Sequence, residues 1–336
     1  MTLQPHVLSN AVAAVLAAGA LGVAIFVRRS PQWRDAAHQV WRRRPIAVLA
    51  VALYVLIAFG DSIAWIGGAD PVRPRSVVDR LFPLDFQERS YSAPLASVDF
   101  NGGAPLKYPG RHLLGTDILG RDVLHMTLKG ARVALLIGGL TTLIIIPVAL
   151  LFGVSAGYFG GLVDGAVFFV MSTLASIPGI LLLTALIMVL GVGTVQVCVA
   201  LGITGWVGFC RIARGETLKL RELDYVQAAK ALGGSPPGII VRHVVPNLMH
   251  LVLITFVLTF SGLVLSEAVL SWLGLGIAGS WGQMIDQARD ELSRDPAIAW
   301  NLAAAFSAIF ALILSVNLVG DTIRDILDPR TVRENL

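Results

Sequence analysis

The chain has 336 residues, 55% of them apolar and only 14% charged, with a formal net charge of +4. Its mean hydropathy of +0.74 excludes an ordinary soluble domain, where roughly a quarter of residues carry charge. The bases form no single stripe and sit beside apolar runs, which argues against a nucleic-acid face and fits the flanks of membrane spans. Cys198 and Cys210 are the only cysteines; twelve apart in one apolar run, they match neither a redox pair nor a zinc site and read as buried, inert thiols.

In chain order, residues 7–27 form an apolar stretch of spanning length, followed by Arg28 and Arg29. A secretory signal carries its bases first, so this reads as a retained span with its N-terminus outside. Residues 31–45 come next. Trp33, Ala37, Val40 and Trp41 share one helical face there, which suits a helix lying in the cytoplasmic membrane interface, with a plain linker as the alternative. Arg42, Arg43 and Arg44 mark a cytoplasmic boundary, and Pro45 opens a span over 46–66. Residues 67–129, with prolines throughout and mixed charge, read as an extracytoplasmic loop with short helices. Thr116 or Asp117 can cap a helix there, and Arg121 and Asp122 can pair or bind neighbours. Nothing supplies Asp117 and Asp122 with a His or a third ligand in the right local context, so they do not read as a metal or catalytic pair.

A span over 131–153 follows, then a Gly-rich turn at 155–161. Gly153 and Gly157 stand at the four-residue spacing that lets membrane helices touch. Residues 163–192 form a span interrupted by Pro178 and Gly179, and 196–210 form another. The cytoplasmic loop 211–246, a span over 248–272, a return loop, a last span over 299–319 and a cytoplasmic tail complete the chain. Alternating from 28–44 inside puts 211–246 and 321–336 inside with their bases, which gives seven spans. No Gly-Lys pair occurs anywhere, so the chain has no P-loop of its own.

Within the loop, residues 222–247 are a polar island with too much structure for a turn. Asp224 can cap a helix that runs through Tyr225, Gln227, Ala228 and Ala229. Gly233 and Gly234 stop it, and Ser235-Pro236 starts a second one. Two short helices on the membrane surface, with small residues giving close access, make a docking site. In the following span Glu267, beside Ser266, is the most telling intramembrane acid. It needs a partner, which is either a cationic group of a passing substrate or a structural hydrogen bond.

Ala228-Ala229, Gly233 and Pro246 fall at the spacing of the coupling loop of bacterial ABC-importer permeases, whose signature begins Glu-Ala-Ala; here Gln227 stands in place of the Glu. The flanking Asp224-Tyr225-Val226 and Arg242-His243-Val244-Val245-Pro246-Asn247 resemble the dipeptide/oligopeptide branch. So do Gly115-Thr116-Asp117-Ile118-Leu119-Gly120-Arg121-Asp122-Val123 and Leu265–Gly274. The resemblance covers roughly residues 40 to 330 and leaves 7–27 outside it. It implies an all-α integral membrane protein of the type I importer permease fold, with six family helices and one extra at the N-terminus. Its parts would be 1–30, 31–45, 46–66, 67–129, a permease core over 130–330 and a tail over 331–336. The implied role is half of a path for di- or oligopeptides in the bacterial inner membrane, or for nickel or another small solute. The implied partners are a homologous second permease, two cytoplasmic ATPases that hold ATP and Mg, and an extracytoplasmic binding protein. No cofactor or metal is implied on this chain, nor any bond chemistry. A stand-alone channel or carrier is the other reading, but such carriers show more mid-membrane charge. A zinc protease would need His-Glu-x-x-His, whereas His243 and His250 are seven apart.

Overall fold

The computed structural model describes Asn10 and residues 31–67, 70–83, 86–100 and 103–327. The expected span 7–27 and the ends 1–30 and 331–336 therefore lie outside the described residues, Asn10 apart. The described chain is helical except for one β-hairpin and irregular loops. It divides into two units, one of residues 1–136 with 264–323, the other of 137–263 with 324–336.

In the first unit, α1 (Pro31–Arg43) packs against α2 (Pro45–Ser62), and Pro45 at the first turn separates them, as expected. The buried face of α1 is Ala36 and Val40, while Ala37 and Trp41 are exposed; the side chain of Trp33 lies outside the described residues. The expected single face is thus split, because Val40 turns inward with Ala36. The first span ends at Ser62 rather than 66, since an antiparallel hairpin, β1 (Ala64–Gly67) and β2 (Asp70–Ser76), takes over there. Among its described residues the loop that follows holds one four-residue helix, α3 (Val77–Arg80), fixed by a reciprocal capping box between Ser76 and Asp79. Burial opposes charge on Asp79, but hydrogen bonds from His125 and Lys129 outweigh it and hold the carboxyl well below the usual range.

The loop ends at 122, seven residues before the expected boundary, because Asp122 caps the next helix by accepting from the His125 N–H at 2.8 Å. Thr116 and Asp117 are not caps. Thr116 Oγ1 accepts from Ser92 N–H, and Asp117 binds the Leu119 and Arg121 N–H groups and the Arg121 guanidinium. The long helix α4 (Val123–Phe159) absorbs Pro147 and most of the expected 155–161 turn; the turn itself is Gly160 and Gly161. Then come α5 (Gly161–Ser176), α6 (Gly179–Leu190) and α7 (Thr194–Leu220). Cys198 and Cys210 are buried free thiols on α7.

In the second unit α4 and α7 meet through small residues. A β-carbon added at Gly153 would lie 2.7 Å from the Cys210 carbonyl oxygen, and one at Gly157 would lie 2.7 Å from Thr217 Cβ. The expected small-residue contact is real, and it carries direction as well. Neighbours advance together along both helices: 144 with 202, 145 with 205, 153 with 213, 157 with 217. The two helices are therefore parallel, and the chain between them must cross back. The pair α5 and α6, bent by 90° at Ile177-Pro178, makes that crossing. Five further apolar helices among the described residues are long enough to span, so the bent pair counted as one span makes six.

After α7 come α8 (Asp224–Ala231), α9 (Pro236–Ile239) and α10 (Met249–Leu270). The expected return loop contains an amphipathic helix, α11 (Trp281–Leu292), which the sequence reading missed. Last is α12 (Trp300–Leu327), which runs eight residues past the expected end of its span.

Gly157→Val should wedge α4 from α7 and destabilise the fold by about 1–3 kcal/mol. Gly139→Ala, which meets open space on the same helix, should be neutral or slightly stabilising. Thermal unfolding of the two variants in detergent checks the contrast.

Candidate functional site: the surface loop between α7 and α10

The loop begins on a fixed base. At the α4–α5 turn, Asp164 accepts from Arg214 of α7, with Nη2 to Oδ2 at 2.7 Å, and Arg221 Nη1 donates to the Gly157 carbonyl at 3.0 Å. The α7 terminus is thereby wired to the turn that ends α4. Below the loop, Val154, Leu220, Val244 and Leu248 form one buried apolar cluster. Val244 and Leu248 belong to the far limb of the loop, so both limbs close on the same core.

Helix α8 stands on that base. Its N-cap is Leu223, not Asp224: the Leu223 carbonyl already accepts from the Val226 and Gln227 N–H groups, so the helix starts one residue early. Asp224 sits instead in the first turn, at the positive end of the helix. Val226 is the one buried side chain of the helix, at 2% exposure, while Asp224, Tyr225, Gln227 and Ala228 are exposed and Ala229 is half-buried. The apolar anchor points in and the small and polar residues point out, which is the accessible face the sequence called for.

The stop is built as expected. Gly233 has φ of +82°, its N–H reaches the Lys230 carbonyl, and the Gly234 N–H reaches Ala229, a Schellman pair that satisfies the last carbonyls of α8. Leu232 just before it is 88% exposed, a large apolar side chain presented at the rim.

The second expected helix is different. Pro236 opens it, but α9 is a single turn that continues through a π turn at Ile240–Val244 and a 3-10 turn at Val245–Leu248 directly into α10. The irregularity has a local cause. Pro246 has no N–H to give, and the Val245 N–H reaches back five residues to the Ile240 carbonyl. Only α8 is an independent surface helix; the second limb is the root of the next span.

Two side chains tie α8 to its neighbours. Asn247 Nδ2 donates to the Tyr225 hydroxyl at 3.1 Å and to the His243 carbonyl. Gln227 Nε2 donates to the Arg221 carbonyl at 2.8 Å, closing the end of α7. That bond needs an amide: a carboxylate in the same place has no proton to donate. Pro246 is exposed at the bend. The loop thus brings together Asp224, Tyr225, Gln227, Ala228, Ala229, Gly233 and Pro246.

Glu267 and the half-buried Ser266 belong to the other unit. The Glu267 carboxylate, 5% exposed, accepts from the Ser271 hydroxyl at 2.7 Å, from the Ser280 hydroxyl, and from the Ile277 and Gly282 N–H groups. It fastens the end of α10 to the start of α11. Sequence reasoning missed Arg214, Arg221 and Asp164; the signal was there, since charges within apolar runs are costly unless paired.

Five apolar helices long enough to span, with the bent pair as a sixth, define a multi-pass membrane protein. Residues 149–333 match the family of binding-protein-dependent transport system inner membrane components, and the chain belongs to that family. Its relatives include the oligopeptide transport system permease protein OppC of Bacillus subtilis, 35% identical over 65% of this chain and 72% of that one. The dipeptide transport system permease protein DppC of the same organism is 36% identical over 66% and 70%. The glutathione transport system permease protein GsiD of Escherichia coli is 32% identical over 89% and 92%.

Gln227→Glu should lose the bond to the Arg221 carbonyl and loosen the entry to α8. Hydrogen exchange should speed up at the amides of 223–228 and stay unchanged along α4.

Proposed function

We propose that the chain is one of two permease subunits of an ATP-driven importer of di- or oligopeptides, coupled to its ATPases through α8. The observation that carries this reading is the exposed face of α8, set on a base shared by the ends of α4, α7 and α10. A partner pressing there moves the roots of three spans together. The names of the relatives support peptides as cargo, with nickel chelates and other small solutes as competing cargoes.

ATP and Mg would sit on two cytoplasmic ATPase subunits, with no cofactor on this chain. A homologous permease would complete the path, and an extracytoplasmic binding protein would deliver the cargo. If all six apolar stretches cross, alternation would have α1, the Gly160-Gly161 turn, the α8 loop and the end of α12 share one side. The bases at 42–44, 211, 214, 219, 221, 230 and 242 support that side being cytoplasmic, with the N-terminus outside if 7–27 spans. ATP can drive such a switch only by favouring one conformation over the other, and α8 is where that difference would enter. Glu267, held by four donors, fits a structural anchor better than a passing contact for substrate.

Two measurements test the reading. Mass spectrometry of the chain purified in mild detergent should find a second permease and two ATPases; the chain transporting alone after reconstitution would overturn it. Gly233→Asp should reach the membrane yet lose ATP-dependent peptide uptake, because it adds a side chain and a negative charge at the left-handed stop of α8. Uptake at the wild-type rate would remove α8 from the coupling route.

A further inference from the structure

The turn between α11 and α12 holds a buried acid that the transport reading does not use. Glu291, on the last turn of α11, is 1% exposed, and Asn301, in the first turn of α12, is 0% exposed. One hydrogen bond joins them, from Asn301 Nδ2 to Glu291 Oε1 at 3.2 Å; the same amide nitrogen also donates to the Met284 carbonyl. Two atoms of this pair are left without a partner in the protein: Glu291 Oε2 and Asn301 Oδ1. Both are acceptors, if the carboxyl is ionised. Two buried acceptors on one hydrogen-bonded pair of side chains, each without a donor in the protein, are a costly arrangement.

A single proton resolves it. A neutral carboxylic acid and a primary amide form a closed two-bond ring, in which the acid accepts from the amide N–H and donates its own O–H to the amide oxygen. One of the two bonds is already in place, and the two unsatisfied atoms are those the second would join.

We propose that Glu291 and Asn301 form a proton-binding site, in which the neutral acid pairs with the amide and latches α11 onto the first turn of α12, and that loss of the proton opens the latch.

The surroundings favour the neutral form. Asp117 and Tyr91 face the site from the outer loop, and Asp290 and Arg294 flank it on α11 and the turn after it. Asp117 is ion-paired to Arg121, and Arg294 lies over the Tyr91 ring, 4.4 Å from its centre. One turn back on α11, the Gln287 amide oxygen is a further buried acceptor without a donor. Burial pushes the Glu291 carboxyl up to about 7; the Asp117 and Asp290 charges add to this, and the Asn301 hydrogen bond and Arg294 oppose it. The folded value lies above the ordinary 4.5, so the stabilisation is fully present below pH 4.5 and is lost as pH rises through about 7.

The test uses the full chain in detergent. Hydrogen exchange over 281–301, corrected for the intrinsic pH dependence of amides, should show opening that grows by up to roughly a hundredfold between pH 5 and pH 8. Glu291→Gln supplies an N–H in place of the proton and should remove this dependence, holding the segment closed across the range. Exchange in the wild-type chain that does not vary with pH would overturn the proposal. So would a folded Glu291→Gln protein that keeps the wild-type pH dependence. The wild-type measurement decides by itself if the variant fails to fold.

Discussion

The close approach of α4 and α7 at Gly153 and Gly157 is the contact on which the rest of the second unit depends. In lipid there is no water to drive helices together, so side chains small enough to let backbones meet decide which helices pair and in which direction. Here the pairing is parallel. That single fact obliges α5 and α6 to return across the membrane and brings the end of α7 beside the α4–α5 turn. Arg214 can then reach Asp164 and Arg221 the Gly157 carbonyl. Charges that would be costly in an apolar environment become the fastening of the loop, because each has a partner waiting for it.

The surface helix gains from this base what it lacks by itself. Eight residues are too few to hold a helix in water. Its position comes from Val226 below, Gln227 at its entry, Gly233 at its exit and Asn247 across its face. An element held this way stands where its neighbours put it, and motion imposed on it is passed to them. The proposed coupling role rests on that property. The exposed Leu223, Tyr225 and Leu232 give its rim an apolar character that water does not favour and a protein partner would cover.

The first unit holds two buried acids that differ in the donors offered to them. Glu267 and Glu291 are both acids at helix ends and both nearly inaccessible. Glu267 has four donors around it, two of them backbone N–H groups next to the start of α11, and serves as a fixed acceptor. Glu291 has one donor and sits beside other acceptors, and so it calls for a proton. A buried acid is explained by counting the hydrogens offered to it.

The sequence by itself determined the class and the order of the parts. Apolar runs of spanning length, basic flanks, the Gly233 stop, the Pro236 start and the Gly153–Gly157 spacing were all legible, because each acts over a few residues. The lengths of the helices were not. Cap chemistry at Asp122 begins α4 early, and polar residues such as Arg214 extend α7 once partners satisfy them. Asp224 was misread because the neighbouring Leu223 carbonyl already takes the first helical bonds, and the second short helix because the apolar core under Val244 and Leu248 acts from outside the local window. The amphipathic α11 was legible too, since Trp281, Met284 and Ala288 recur at helical spacing, but the sequence reading missed it. Direction of packing, the identity of each charge's partner and the number of donors at each buried acid were decided by tertiary structure alone, since they depend on which atoms the fold brings within about 3 Å of each other.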